Sequence, residues 1–307
     1  MQHSSSSSSS PLHAATLIAD YILTRHQQSH MTASNDGSGI SKVTQLRPLM
    51  VSMQGPQGAG KSTIAYLLVN ILKQHKLTCV VASLDDFYLT HVELEDLAHR
   101  NPVNGLLHGR GQPGTHDVDL LIAVLEKVQQ GEAFQLPVFD KSLFQGEGDR
   151  CQDGILVIPP VDVFILEGWS IGFQPVNPDD LDATYRAATH QAAHQRPLFL
   201  NHSLESLQAI NDNLREFASR VYPFFEIHVI LQAQSREYVY TWRLQQEHTM
   251  KTKNGGHGML DGEVKLFVDR YMPSYELFEE GILEHWSQRA FIVSLGEDRS
   301  VLGHRAI

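Results

Sequence analysis

Met50 to Tyr66 read MVSMQGPQGAGKSTIAY, and this stretch decides the fold. The apolar run Leu49 to Met53 has the composition of a buried strand, and it breaks at Gly55. Gly55-Pro56-Gln57-Gly58-Ala59-Gly60-Lys61-Ser62 then fits G-x-x-x-x-G-K-S, and a helical pattern starts at Thr63. Glycines let successive backbone N–H groups turn toward phosphate oxygens. The helix that follows points its positive end at the same place. The stretch Gly55 to Thr63 is therefore expected to cradle the phosphates of a nucleoside triphosphate. Lys61 would reach the β- and γ-phosphates, and the Ser62 hydroxyl would ligate Mg²⁺.

Outward from this loop, composition narrows the partners. The chain has 307 residues, 42% of them hydrophobic, and a formal net charge of −11, which argues against nucleic acid or an anionic membrane as the main partner. A small anionic substrate needs only a few local cations and stays open. Two cysteines, Cys79 and Cys151, form no disulfide framework and indicate a reducing compartment. Cys79 reads as a buried strand residue. No run has the length of a membrane span, and Ser4 to Ser10 carries neither a basic nor an apolar leader region. A cytoplasmic location, with a nuclear one also open, follows as the expectation.

Residues 1–10 read as a disordered Ser-rich tail, 11–45 as an N-terminal helix and linker, and 46–307 as the main domain. Leu17, Ile18, Tyr21, Ile22 and Leu23 give the first helix its apolar face, and Thr32 to Lys42 reads as the linker. Strands are expected over Pro48–Gln54, Leu77–Leu84, Val161–Leu166, Phe225–Leu231 and Phe291–Leu295. Between them lie helices over Asp117–Gln130, Val176–Gln195 (part of an insertion), Leu204–Arg220 and Arg236–Lys253. A further helix, Glu263–Glu280, should kink at Pro273. Leu136 to Asp153 reads as a charged loop. Apolar strands alternating with helices indicate an α/β, three-layer fold, a parallel sheet with helices on both faces. Ligands bind such sheets at the carboxyl ends of the strands. That rule selects the phosphate loop, Asp85 after the second strand and Glu167 after the third.

A hydroxyl acceptor needs a carboxylate to take its proton, and Asp85 and Asp86 close a strand beside the phosphate loop. If both continue the strand, their side chains diverge and only one can do that work. Glu167 is placed to act on the Mg²⁺ side, through water. Cations over the migrating charge could come from Arg110, Lys141, Arg150, Arg236 or Arg243. Arg243 precedes the Gly-rich turn Gly255–Gly258 on a polar helix, the pattern of a closing lid. Arg110 would suit a carboxylate acceptor. Of 17 histidines none has zinc-site spacing, and only His116, before Asp117, falls in a candidate acceptor loop.

The combination of GPQGAGKST, SLDDFYLT, GRGQPGTHD, PVFDKS, FILEGW, WRLQQEH and FVDRYMPSY resembles the D-glycerate 3-kinase family, in particular its fungal ATP-dependent branch. That group stands with phosphoribulokinase, uridine kinase and pantothenate kinase, and the resemblance runs from Leu46 to Leu295. It implies the P-loop NTPase fold with a five-stranded parallel sheet, and ATP with Mg²⁺. It implies Asp85 as the base, with Tyr88 near the acceptor. It also implicates Arg110, His116 and Asp117 in acceptor binding, Asp140 and Lys141 in an acceptor-side loop, and Arg243 as the lid arginine. The expected acceptor is a small anionic molecule, and the expected state a monomer or homodimer. Where uridine kinases carry a pyrimidine-reading His, this chain has Lys141-Ser142-Leu143-Phe144-Gln145, which favours a small polyol acid over a nucleoside. A nucleoside- or pantothenate-type kinase, a nucleotide switch and a binding-only relative are the alternatives. The chain lacks the N-K-x-D motif of a guanine-reading switch.

Overall fold

The computed structural model describes residues 11–34, 47–253 and 255–307. The expected Ser-rich tail, 1–10, and most of the linker lie outside the described residues. In chain order the strands are β1 Leu49–Gln54, β2 Cys79–Ser83, β3 Phe134–Leu136, β4 Phe139–Asp140, β5 Asp149–Arg150, β6 Ile155–Val157, β7 Val163–Gly168, β8 Ile227–Ala233, β9 Ala290–Leu295 and β10 Val301–Ala306. The helices are α1 Pro11–Ser34, α2 Lys61–Gln74, α3 His91–Arg100, α4 Val118–Gln130, α5 Pro178–Thr189, α6 Leu204–Val221, α7 Tyr238–Lys253, α8 Asp261–Asp269, α9 Met272–Phe278 and α10 Ile282–His285.

The main sheet has the order β10-β9-β8-β1-β7-β2. Five of its strands run parallel, as expected, and β10 adds a sixth, antiparallel to β9. Its residues are mostly exposed or half-exposed, so this edge strand carries no apolar run to mark it. From β1 the chain crosses to β2, returns to β7, then passes to β8 on the far side of β1. The reversal leaves a crevice at the carboxyl ends of β1 and β7, where ligands of such sheets bind.

Strand alternation divides the core into two layers. Leu49, Val51, Met53, Val163 and Ile165 face α1 and α2. Met50, Phe164 and Leu166 face the layer holding α4, α6 and α9. Val163 to Leu166 are wholly buried, each side chain contributing roughly 1.5–3 kcal/mol. Helix α1 buries Ala14, Ala15, Ile18, Ala19 and Ile22, and Tyr21 stacks on Phe291 at 4.7 Å. Its contact face is thus partly alanine, smaller than the aromatic and branched residues that marked it in the sequence.

Two further expectations change. The single kinked helix over Glu263–Glu280 is two helices, α8 and α9, with Pro273 in the first turn of α9. A missing N–H costs nothing there, so the proline starts a helix instead of bending one. The charged loop Leu136–Asp153 contains the β4–β5 ladder, and the β3–β6 pair brackets it. Cys79 lies in β2 but is only half-buried, and burial pushes its thiol up to about 12. No helix among the described residues is long and apolar enough to cross a membrane.

Candidate active site

The phosphate loop leaves β1 and enters α2 directly at Lys61. Gly58 and Gly60 both have positive φ, +77° and +91°. Gly60 offers α2 no side-chain cap, which leaves the first-turn N–H groups able to receive an outside acceptor. The loop is held from several sides. Gln57 N donates to Tyr275 Oη at 3.3 Å, and Arg299 Nε donates to Gly58 O at 2.7 Å. Lys61 Nζ donates to Gly55 O at 2.8 Å and Pro56 O at 3.2 Å. Burial pulls the Lys61 pKa down, opposed by the carboxylates of Glu167 and Asp85.

Glu167 is the fifth residue of β7, inside the strand and not after it. Its register partners are Met53 on β1 and Ser83 on β2, so it sits between the strand that feeds the phosphate loop and the strand that feeds Asp85. Its Oε1 is 3.5 Å from Ser62 Oγ. Burial raises its pKa, and the Lys61 ammonium opposes that. The two oxygen donors suit a hard divalent cation that completes its shell with phosphate and water. Among the described residues no group of three or more His, Cys, Asp or Glu could hold a metal alone.

Asp85 and Asp86 leave the strand for a 3-10 turn, Leu84–Phe87. They do different work because of that turn, not because of strand alternation. Asp86 Oδ1 accepts from Phe139 N at 3.1 Å and ties the turn to β4. Asp85 Oδ1 accepts from Tyr88 Oη at 2.9 Å, and Oδ2 accepts from Lys141 Nζ at 2.5 Å. Burial alone would raise the Asp85 pKa, but Lys141, with Tyr88 and His116, outweighs it and the net direction is down. Asp85 is therefore ionised at neutral pH. His116 stacks on Tyr88 at 4.5 Å, and burial lowers its pKa to about 4. Its Nε2 is buried without a hydrogen-bond partner among the described residues.

The remaining expected residues divide. Arg110 Nη1 donates to Gly146 O at 2.8 Å and also to Glu147 O, and the guanidinium lies over the Phe139 ring. Asp117 caps α4 through Leu120 N and pairs with Arg150 at 2.8 Å. Asp140 closes a turn with Ser142. Arg236 pairs with Glu279 at 3.0 Å. Arg243 lies 2.9 Å from Glu247 and over the Phe267 ring. Glu247 also accepts from Met259 N, which joins the expected lid helix to the segment after its Gly-rich turn. Sequence reasoning missed Tyr275, Arg299 and Arg270. Arg270 and Tyr275 stand in FVDRYMPSY without a role assigned to them. Arg299 stands alone in a turn, where no local pattern marks it.

No family model matches the chain. Similar proteins do. The kinase mug58 of Schizosaccharomyces pombe is 38% identical over 261 residues, covering 82% of this chain and 90% of that one. A probable ATP-dependent kinase of Saccharomyces cerevisiae, TDA10, is 38% identical over 243 residues, covering 75% of this chain and 78% of that one. The chloroplastic D-glycerate 3-kinase of Arabidopsis thaliana is 32% identical over 282 residues, covering 88% of this chain and 56% of that longer one. Among solved structures, D-glycerate 3-kinase from Cryptococcus neoformans var. grubii superposes with a TM-score of 0.86 at 39% identity, covering 96% of this chain and 99% of that one. With the phosphate loop in place at the crevice between β1 and β7, and with relatives matched along most of their length, the chain belongs to the D-glycerate 3-kinase and fungal kinase family of P-loop small-molecule kinases.

Proposed function

We propose that the chain transfers the γ-phosphoryl group of ATP to a hydroxyl of D-glycerate or a similar small hydroxy acid. The observation that carries this reading is Asp85. Its carboxylate stands at the end of β2, ionised by Lys141, in the same electrostatic cluster as Lys61 and Glu167. A nucleotide switch has no need of such a base. The names of the similar kinases support the acceptor.

In this mechanism the loop from Gly55 to Thr63 receives the phosphates through backbone N–H groups. Lys61 exchanges its carbonyl partners for phosphate oxygens. The acceptor oxygen attacks the γ-phosphorus, the bond to the bridging β–γ oxygen breaks, and the acceptor proton passes to Asp85. Lys141 and Arg243 offset the charge on the transferring group. Ser62 and Glu167 would hold Mg²⁺, which would offset the negative charge of the phosphates. Tyr88, Arg110 and His116 face the acceptor side, while Asp117 and Asp140 hold the loops around it. We assign residues 46–307 to the catalytic unit, with α1 as a buttress. We assign the chain no nucleic-acid or membrane partner and a monomeric or homodimeric state. A cytoplasmic location accords with the free thiols of Cys79 and Cys151.

The test is ADP release with Mg·ATP against D-glycerate, L-glycerate, pantothenate, uridine and ribulose 5-phosphate. Turnover that depends on D-glycerate and is lost in Asp85→Asn is the expected result. Turnover with uridine alone, or unchanged in Asp85→Asn, would overturn it.

A further inference from the structure

Two guanidinium groups border the Asp85–Tyr88 corner, and neither has a carboxylate within ion-pair distance among the described residues. Arg236 and Arg243 each hold one, and Arg150 holds two. Arg110 and Arg270 are held by backbone carbonyls. Arg270 leaves the end of α8, and its Nη2 donates to Leu106 O at 3.4 Å, to His108 O and to Gly109 O at 3.1 Å. Arg110 sits one residue beyond Gly109 and donates from Nη1 to Gly146 O and Glu147 O. In both, these bonds occupy one nitrogen and leave the others for a ligand.

The loop between them is built to stay in place. Gln112 Nε2 donates to Arg270 O at 2.8 Å, and Ser274 Oγ donates to Gln112 Oε1 at 2.6 Å. Trp169 Nε1 donates to Gly111 O at 3.2 Å. Gly109 has a φ of +81°, and a Cβ there would stand 3.6 Å from Arg270 Nη1, against the guanidinium itself. Burial lowers the Arg270 pKa and Arg110 adds to that, while Tyr271 and Tyr88 oppose them. Two like charges held near one another, with no ion-paired carboxylate among the described residues, stand ready for an anion. The Tyr88 hydroxyl, which interacts electrostatically with both Arg110 and Arg270, is the one bonded to Asp85.

We infer that Arg110 and Arg270 together clamp the carboxylate of the phosphoryl acceptor, and so set its class as a hydroxy acid. The inference rests on the kinase reading for the acceptor's place beside Asp85. Guanidinium forks bind carboxylates with two bonds each, and a neutral polyol cannot offset two cations. Arg270 is thereby a specificity residue that motif reading left unassigned.

The experiment uses the full chain, as wild type, Arg270→Gln and Arg270→Lys. Calorimetry measures binding of D-glycerate, of glycerol (the same hydroxyls without a carboxylate) and of glycerol 1-phosphate. ADP release is followed in parallel. The expected result is D-glycerate binding weakened about thirtyfold or more in Arg270→Gln, in part restored in Arg270→Lys, with the KM for ATP nearly unchanged. An unchanged ATP KM also shows that the variant is folded. Weak glycerol binding should not respond to the substitution. Wild-type affinity for D-glycerate in Arg270→Gln would overturn the clamp. So would a wild-type preference for glycerol or for glycerol 1-phosphate, and turnover with a neutral acceptor would then leave the kinase reading standing. Arg270-dependent binding of D-glycerate without ADP release would support the clamp and count against the kinase reading alone.

Discussion

The Lys141 ammonium lies 2.5 Å from Asp85 Oδ2, a contact that joins the loop after β4 to the turn after β2 across 56 residues. Lys141 is half exposed, yet its charge and hydrogen bond, with help from Tyr88 and His116, outweigh the burial that would raise the Asp85 pKa. Lys141→Met removes the main opposing cause, so the Asp85 pKa should rise. The acid limb of kcat/KM for the acceptor is then expected to move to higher pH, with kcat reduced. A pH–rate profile of the two proteins measures this, and coincident acid limbs would separate Lys141 from the base. Asp85→Asn should lower kcat by ~10²–10⁴-fold without a matching change in the KM for ATP.

Lys61 makes a second prediction, because its ammonium is bonded to the loop carbonyls of Gly55 and Pro56. Lys61→Met removes a half-buried charge and two hydrogen bonds together, so the two effects partly offset. Without nucleotide the melting temperature should change by no more than about 3 °C. The stabilisation that saturating Mg·ATP confers on the wild type should largely vanish, and turnover should fall by ~10²–10³-fold. Calorimetric melts with and without Mg·ATP separate these outcomes. A variant that ATP still stabilises fully would place the phosphates elsewhere.

The parts of this site legible in the sequence share one property: each is written in neighbouring residues. The loop from Gly55 to Thr63 needs closely spaced glycines and a helix start, and both can be read locally. Asp85 and Glu167 follow from the rule that ligands lie at the carboxyl ends of parallel strands. The five parallel strands announced themselves as apolar runs. What escaped depends on distant packing or on weak local pattern. The strand β10 is an exposed edge, so hydrophobicity does not reveal it. Pro273 can bend a helix or begin one, and tertiary context made it begin α9. Arg270 and Arg299 act on carbonyls more than 160 residues away, a relation that no spacing encodes.

Gly58 and Gly60 share a left-handed backbone but differ in what surrounds them. A Cβ on Gly58 would stand 2.6 Å from Trp242 Cβ and 2.9 Å from its carbonyl carbon, whereas one on Gly60 would meet nothing within 4 Å. Gly60→Ala should therefore cost only the backbone term, ~1–2 kcal/mol, and act chiefly by raising the KM for ATP. Gly58→Ala carries the same strain and in addition pushes the loop off α7, so it should destabilise the protein further. Chemical denaturation of the pair tests the difference. Equal stabilities would mean that the Trp242 contact relaxes freely.

His116 ties stability to pH through the same corner. Burial lowers its pKa to about 4, against an ordinary value of 6.5. Between these two values the unfolded chain binds a proton that the folded chain refuses, so stability falls as pH falls through that window. His116→Asn removes the group from both states. From pH 7.5 to pH 5 the wild type should lose about 2 kcal/mol more stability than the variant, read from urea unfolding at each pH. The buried histidine His228, lowered to about 3, contributes its own acid sensitivity to both proteins and cancels in the comparison. Parallel losses in wild type and variant would mean that His116 takes its proton in the folded state, with Asp85 as the nearby charge that accommodates it. His116 would then enter the acceptor site as a cation, and the anion-binding side of the crevice would hold three positive groups instead of two.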